Sequence, residues 1–312
     1  MISQAKLRIG TRGSPLALAQ AHEVRDRLVK AHGDLDADCI DIVVIKTSGD
    51  RILDRPLADI GGKGLFTKEI EDALLTGDVD LAVHSFKDVA TVLPPGLVID
   101  CVLEREDPRD AFISLKAQTL ADLPAGSVIG TASLRRQAQI LELRPELEVV
   151  NFRGNVQTRL RKLQDGVVDA TLLACAGLRR LGKTDVISSI IEVEDMLPAV
   201  AQGAIAIETR ENDPDTARRL TPLNHAATRA CVAAERALLE ALDGSCRTPI
   251  AGLAQIEGDG RLVLRAALYT PDGAKGWHAV RRGPVDEARR LGHDAGDELK
   301  RLAGPDFPVV DQ

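Results

Sequence analysis

"TGDVDLAV" (residues 76–83) and "DGVVDATL" (residues 165–172) are two versions of one connection. Each closes an amphipathic stretch with a glycine and enters an apolar run through Val-Asp, as when a helix hands over to a buried strand. A second pair repeats in the same order. Ile9-Gly10-Thr11, followed by Ser14 and a helical pattern, is matched by Ile129-Gly130-Thr131, followed by Ser133 and a helical pattern. One echo alone is ordinary βα chemistry; two in the same order predict a duplicated α/β domain.

Outward from these turns, "KLRIGT", "CIDIVVIKT", "DLAVHS", "SVIGTA", "LEVVNF" and "VDATLLA" read as buried strands interleaved with amphipathic helices, the α/β signature. The last third changes character. "HAATRACVAAERALLEAL" is an alanine-rich helix stopped at Asp243-Gly244. "IAGLAQIEG", "RLVLRAALYT" and "GWHAVRRG" follow, divided by Gly258-Asp259-Gly260 and Pro271-Asp272-Gly273. That spacing predicts a three-stranded antiparallel meander with a final helix over roughly 286–303 on one face, a small α+β domain.

Composition narrows the function classes. The 312 residues allow two or three domains, and 40 Lys+Arg against 47 Asp+Glu give a net charge of −7, which argues against a nucleic-acid partner. Aromatic residues make up 2%, too few for base-stacking platforms. "MISQAKLRIG" lacks the basic start and apolar run of a secretion signal, and no apolar stretch reaches bilayer length, so a cytoplasmic protein without a membrane partner is expected. Five cysteines without a CxxC pair and six histidines without HExxH spacing predict neither a disulfide framework nor a metal site. Cys39, Cys101, Cys175 and Cys231 lie in apolar company and read as small core residues. Cys246, between Gly244-Ser245 and Arg247, sits where a sulfur can be exposed and its thiolate favoured; an ordinary loop cysteine is the competing reading.

In open α/β sheets ligands bind beyond the C-terminal strand ends. The polar residues there are Arg12 and Ser14; His84, Ser85, Lys87 and Asp88; Thr131, Ser133, Arg135 and Arg136; and Arg153, Gly154, Asn155 and Arg159. Each strand end offers a cation, and several offer a helix N-terminus, which suits carboxylates or phosphates. Between Thr131 and Lys162 there are seven basic and three acidic residues, a net of +4 in an acidic chain. Arg144, Arg161 and Lys162 fit a solvated helix face, whereas Arg153 sits at a strand-to-helix turn. The pattern predicts a small polyanion carrying several carboxylates. "GGKG" (61–64) lacks the spacing of a phosphate loop and fits a lid, and His84, ending an apolar strand, reads as hydrogen-bonded structure.

"RIGTRGSPLALAQ", "GGKGLFTKEIE", "DLAVHSFKDV", "IGTASLRRQAQ", "NFRGNVQTRL", "LPAVAQGAIAIE" and "GSCRTPIAG" follow one another between residues 8 and 252. Together, in this order, they resemble the porphobilinogen deaminase (hydroxymethylbilane synthase) family. The resemblance implies two α/β domains like the lobes of type II periplasmic binding proteins, facing a cleft, plus a small α+β C-terminal domain. It places domain one at 1–103 with 197–221, domain two at 104–196 and domain three at 222–312. It implies a monomeric transferase of tetrapyrrole biosynthesis that condenses four porphobilinogen molecules head to tail, through linear pyrrole intermediates, into hydroxymethylbilane, releasing ammonia. Its cofactor is a dipyrromethane primer held by a thioether, which the motif match assigns to Cys246.

By the same match Asp88 is the catalytic carboxylate, stabilising the cationic azafulvene left when ammonia departs. Ser14, Lys87, Asp88, Thr131, Ser133, Arg135, Arg136 and Arg159 are expected at the cofactor, and Arg12, Ser85, Arg153, Arg159 and Arg180 at the substrate. Two residues depart from the family pattern: Ala90 stands for a usual proline, with an expected loosening of the Asp88 loop, and Ala201 for a usual glycine. Two other functions compete: a non-catalytic two-lobed anion-binding protein, and a thiol enzyme using Cys246 as nucleophile.

Overall fold

The computed structural model describes residues 6–33, 35–51, 66–243 and 248–307. The described residues divide into two units: those of Met1–Leu53, Gly62–Glu106 and Ala204–Arg229, and those of Asp54–Gly61, Asp107–Gly203 and Ala230–Gln312.

The first unit is built on a five-stranded mixed sheet. Its strands are β1 (Leu7–Thr11), β2 (Ile40–Val44), β3 (Leu81–Ser85), β4 (Leu97–Val102) and β10 (Ile205–Arg210), in the order β2-β1-β3-β10-β4. β1 runs parallel to β2 and β3, and β10 antiparallel to β3 and β4. Helix α1 (Pro15–Ala31) starts at Ser14, whose hydroxyl accepts from the Ala17 N–H at 3.3 Å, with Pro15 in the first turn. It buries Ala21, Val24 and Leu28 against Ile9, Leu81 and Ile207. A short α2 (Ser48–Arg51) follows β2, and α3 (Lys68–Leu75) covers the sheet through Ile70 and Leu74, packed with Val79 and Ala82. The unit closes with α7 (Pro214–Leu220).

The second unit repeats this sheet with β5 (Asp110–Ser114), β6 (Val128–Gly130), β7 (Glu148–Val150), β8 (Ala170–Ala174) and β9 (Ser189–Ile191), ordered β7-β6-β8-β5-β9. The repeat is residue for residue. Ile9 and Gly10 pair with Leu81 and Ala82, as Ile129 and Gly130 pair with Ala170 and Thr171. The Arg8 N–H donates to Asp80 at 2.8 Å, as the Val128 N–H does to Asp169. Gly77 and Gly166 turn from helix to strand at φ +77° and +73°. The duplication expected from "TGDVDLAV" and "DGVVDATL" is therefore present in the fold. The antiparallel members β4, β5, β9 and β10 were not among the strands read from the sequence.

Helices α4 (Leu134–Leu143), α5 (Val156–Gln164) and α6 (Cys175–Arg180) connect the second sheet. Ser133 caps α4 and Asn155 caps α5, the latter accepting from the Thr158 N–H at 2.8 Å. The C-terminal meander forms as expected: β11 (Ile250–Ile256), β12 (Leu262–Tyr269) and β13 (Gly276–Gly283) make an antiparallel sheet. α8 (Ala226–Ala241) and α9 (Ala288–Ala303) accompany it. A Cβ on Gly292 would lie 2.1 Å from the Ala234 carbonyl oxygen and one on Gly296 2.5 Å from the Ala241 methyl, so glycine spaced by four lets α9 meet the alanine face of α8.

Two single-residue expectations change. Arg144 is no solvated helix residue: it ends α4 and donates to the carbonyls of Leu120 and Ala121 at 2.8 Å and Leu123 at 2.7 Å, satisfying a loop that lacks ladder partners. Cys39 is half-buried in a turn before β2, whereas Cys101, Cys175 and Cys231 are buried. Burial pushes the Cys101 and Cys175 thiols up to about 12, consistent with inert core residues.

Ala201 adopts φ +60°, the left-handed region, while fully enclosed, and its N–H donates to Glu235 at 2.7 Å. For a residue with a Cβ that conformation costs about 1–2 kcal/mol. Glycine removes the strain at an entropic cost of about 0.5–1 kcal/mol. Ala201→Gly should therefore raise stability by about 0.5–1 kcal/mol, read as a higher urea midpoint; a lower midpoint would mean that burial of the methyl outweighs the strain.

Candidate active site

The polar residues singled out from the sequence fall at the C-terminal ends of the parallel strands in each unit. In the first unit the chain leaves β3 into a single 3₁₀ turn, Phe86–Asp88. Phe86 is buried and its N–H donates to the Ala204 carbonyl at 3.0 Å, which holds the turn against β10. Asp88 points away from this anchor: it is exposed and makes no hydrogen bond to the described residues. Val89 is extended (φ −84°, ψ 133°), the shape a following proline would impose, and its N–H donates to Phe86 at 3.2 Å. With alanine at position 90 the backbone before it thus already has the conformation a proline there would require.

Lys87 is half-buried beside Asp88, and Ser85 accepts a hydrogen bond from Gln20 Nε2 at 2.9 Å. The Arg12 guanidinium lies 4.1 Å from the centre of the Phe66 ring. His84 is buried and hydrogen-bonded to Glu208 at 3.0 Å, the structural role expected of it.

In the second unit the α4 N-terminus carries two guanidiniums into the interior. Arg135 and Arg136 are each 5% exposed, and both reach Asp110, whose side chain is fully enclosed. Arg135 donates to Asp110 Oδ2 at 2.7 Å and to the Leu197 carbonyl; Arg136 donates to Asp110 Oδ1 at 2.8 Å and to the Leu172 carbonyl. Gln202 adds a bond to Asp110 Oδ1 at 2.7 Å. Burial alone would push the Asp110 carboxyl up, but the charges and hydrogen bonds of the two arginines outweigh it and hold it well below the carboxylate range.

One carboxylate does not exhaust these donors. Among the described residues, Nε of Arg135 and Nε of Arg136 are buried without a hydrogen-bond partner. Arg159 is half-buried, bonded through Nε to the Gly154 carbonyl at 2.9 Å. Burial first, then the like charges of Arg136 and Arg153, pull it down to about 10. Such a site carries surplus positive charge in a desolvated setting and would be relieved by anions. Thr131, buried, accepts from the Ser133 N–H at 3.2 Å, and Arg180 donates to the Gly203 carbonyl at 3.1 Å. Lys162, read as solvated, instead donates to the Arg153 carbonyl at 3.2 Å and lies over the Phe152 ring.

Cys246 and the "GGKG" stretch lie outside the described residues. Asp110 escaped sequence reading because it sits in the charged run "EREDPRD" and looks like loop. Gln202, inside a quoted motif, offered no signal of its own. Among the described residues no three His, Cys, Asp or Glu gather as metal ligands, and no helix is long and apolar enough to cross a membrane.

The described residues combine a duplicated α/β fold, a third sheet and a cluster of buried guanidiniums around Asp110. Residues 7–218 match the family model described as porphobilinogen deaminase, dipyromethane cofactor binding domain, and residues 229–301 match porphobilinogen deaminase, C-terminal domain. The chain is 59% identical to the chloroplastic porphobilinogen deaminase of Oryza sativa subsp. japonica over 98% of its own length and 87% of that protein. It is 57% identical to the porphobilinogen deaminase of Paracoccus denitrificans (strain Pd 1222), over 97% of its length and 96% of that protein. Among solved structures, the methionine binding protein MetQ covers 70% of this chain and 89% of its own at a TM-score of 0.44 and 15% identity. An ABC transporter periplasmic substrate-binding protein from Coxiella burnetii has a TM-score of 0.43 at 16% identity, with the same two coverages. The chain belongs to the porphobilinogen deaminase family.

Proposed function

We infer that this protein is a porphobilinogen deaminase, a transferase that joins porphobilinogen units head to tail into hydroxymethylbilane on a covalent dipyrromethane primer. The observation that carries the reading, beside family membership, is the unspent donor capacity of the second unit. Among the described residues, Arg135 and Arg136 keep buried, unbonded Nε groups, and Arg159 is depressed by burial and by neighbouring arginines. Each pyrrole brings an acetate and a propionate, and guanidinium forks are matched to such carboxylates.

When bound, the dipyrromethane supplies the free pyrrole α-carbon at which chain growth begins. We assign its attachment to Cys246 through a thioether, and its carboxylates to Arg135, Arg136 and Arg159 with Ser14, Lys87, Thr131 and Ser133. Arg12, Ser85, Arg153 and Arg180, again with Arg159, serve the incoming substrate. In each cycle the aminomethyl C–N bond of porphobilinogen breaks and ammonia leaves, a C–C bond forms, and the proton at the coupling carbon is lost. Asp88 is exposed and free of hydrogen bonds among the described residues, so its carboxylate is available to pyrrole N–H groups. There it stabilises the cationic azafulvene of the activated substrate and accepts the departing proton. Residues 222–312 would form the domain carrying the primer. A cytoplasmic monomer is the form we propose, in keeping with the buried thiols of Cys101 and Cys175, which form no disulfide among the described residues.

Intact-protein mass tests the reading. Wild-type protein purified in active form should exceed its sequence mass by one dipyrromethane, and Cys246→Ser should lack the excess and be inactive. A wild-type protein of bare sequence mass that binds polycarboxylates without turnover would identify an anion-binding protein instead.

A further inference from the structure

Three ionisable side chains are buried together beneath α3 in the first unit, apart from the groups assigned to substrate and primer. His84 at the end of β3 is 5% exposed, Glu208 on β10 0% and Glu71 on α3 6%. His84 Nε2 lies 3.0 Å from Glu208 Oε2, a diagonal pair across the ladder in which His84 faces Ala206 and Glu208 faces Ala82. Among the described residues, Glu208 Oε1 and Glu71 Oε1 find no hydrogen-bond partner. Burial raises the Glu71 carboxyl above its ordinary range and the Glu208 charge adds to this, with Thr67 and His84 opposing. Of the other charged groups nearby, Asp72 is exposed, and Arg210 on β10 is committed to Asp213 and to the carbonyls of Leu74 and Val79. Among the described residues, His84 is the basic side chain that faces both carboxyl groups. Burying two carboxyl groups beside a single imidazole is costly if both carry charge, which is the sense of the upward push on Glu71.

The duplication supplies an internal control. β8 and β5 carry Leu173 and Ile113 at the register positions of His84 and Glu208. The shared helix-to-strand turn, with Asp78 N–H to the Ala73 carbonyl and Val167 N–H to the Lys162 carbonyl, sets Leu160 opposite Glu71 in the alignment of the two units. Leu173, Ile113 and Leu160 belong to one apolar cluster. The same architecture therefore closes over leucine and isoleucine in one unit and over three ionisable groups in the other. A buried ion pair is commonly no better for stability than well-packed apolar residues. His84 immediately precedes Ser85, and the β3–β10 ladder continues to the Phe86 N–H that fixes the Asp88 turn.

We propose that His84, Glu208 and Glu71 are positioning residues: a buried charge triad that the fold does not require and that holds the end of β3, and with it the Phe86–Asp88 turn, in the arrangement the condensation needs. The proposal rests on the role assigned to Asp88.

The test is the triple variant His84→Leu/Glu208→Ile/Glu71→Leu, which copies the second unit, beside the isosteric Glu208→Gln. The triple variant should melt no lower than wild type, carry the primer mass and keep its KM for porphobilinogen within about twofold, while kcat falls tenfold or more. Glu208→Gln, which keeps the shape and removes the charge, should show the same split between kcat and KM. Unchanged kcat in both would overturn the proposal, as would a triple variant that unfolds or melts markedly lower, since the triad would then be needed for folding.

The pH dependence of Glu71→Gln adds a readout independent of turnover. A carboxyl whose pKa is raised on folding costs stability as pH rises from the unfolded value through the folded one. The melting temperature of Glu71→Gln should therefore gain on that of wild type between about pH 4 and neutrality; a constant gap would rule out Glu71 as the proton holder. Wild-type turnover and primer mass are measured in the same preparations, so a wild type without either would instead refute the proposed activity.

Discussion

Asp88→Ala is expected to fold, to retain its primer mass and to lose turnover by about 10²–10⁴-fold, the usual contribution of a positioned acid–base group. The split follows from where the residue sits. Phe86 anchors the turn by burial and by its N–H on Ala204, and Val89 is buried on the other side, so the backbone is fixed without Asp88. Its carboxylate is exposed and bonds to none of the described residues. Removing it should change stability by no more than about 0.5 kcal/mol. Mass spectrometry, thermal melting and steady-state turnover on one preparation decide the matter. Turnover near that of wild type would remove the proposed mechanism, and loss of the primer with normal folding would shift Asp88 from chemistry to cofactor assembly.

Asp110→Ala should destabilise the second unit by about 3–5 kcal/mol, since it strands two buried guanidiniums without a counter-charge. Arg135 and Arg136 keep only the Leu197 and Leu172 carbonyls, and Gln202 also loses an acceptor. A urea titration reads the loss. The first unit again supplies the compensating design: Ile205 stands at the register position of Asp110, and Leu16 and Ala17 stand at the second and third positions of α1, where α4 has Arg135 and Arg136. Asp110→Ile/Arg135→Leu/Arg136→Ala should recover most of the stability while abolishing primer retention. Wild-type stability in Asp110→Ala would mean that the arginines find another anion within the fold. The carboxyl of Asp110 is depressed on folding, so its contribution is present above the ordinary aspartate range and lost only as pH falls into strong acid.

How far the fold could be read depended on the kind of strand. β3 and β8 are apolar runs entered from helices through Gly and Val-Asp turns that repeat almost letter for letter, and β1 and β6 share the Ile-Gly-Thr exit into a capped helix. β5, β9 and β10 carry no such punctuation: β5 opens on Asp110 after a charged run, β9 has three residues, and β10 buries Glu208. Their placement is decided by pairing with distant strands, which local periodicity does not encode. The site was legible as a set of cations at strand ends. What they bind internally was not, because Asp110 is far from Arg135 in sequence and only the sheet brings them together. The same holds for His84, whose hydrogen-bonded role was foreseen, while its partner Glu208 lies 124 positions away.

The placement of β10 bears on how the chain is made. β3 and β4 are not neighbours; β10 lies between them and comes from residues 205–210, after all five strands of the second sheet. While the ribosome is still delivering the middle of the chain, the first sheet lacks its keystone and presents two raw strand edges, a hazard for misassociation. The second sheet, contiguous in sequence, can finish first, so the part of the protein translated earliest is the part that must wait.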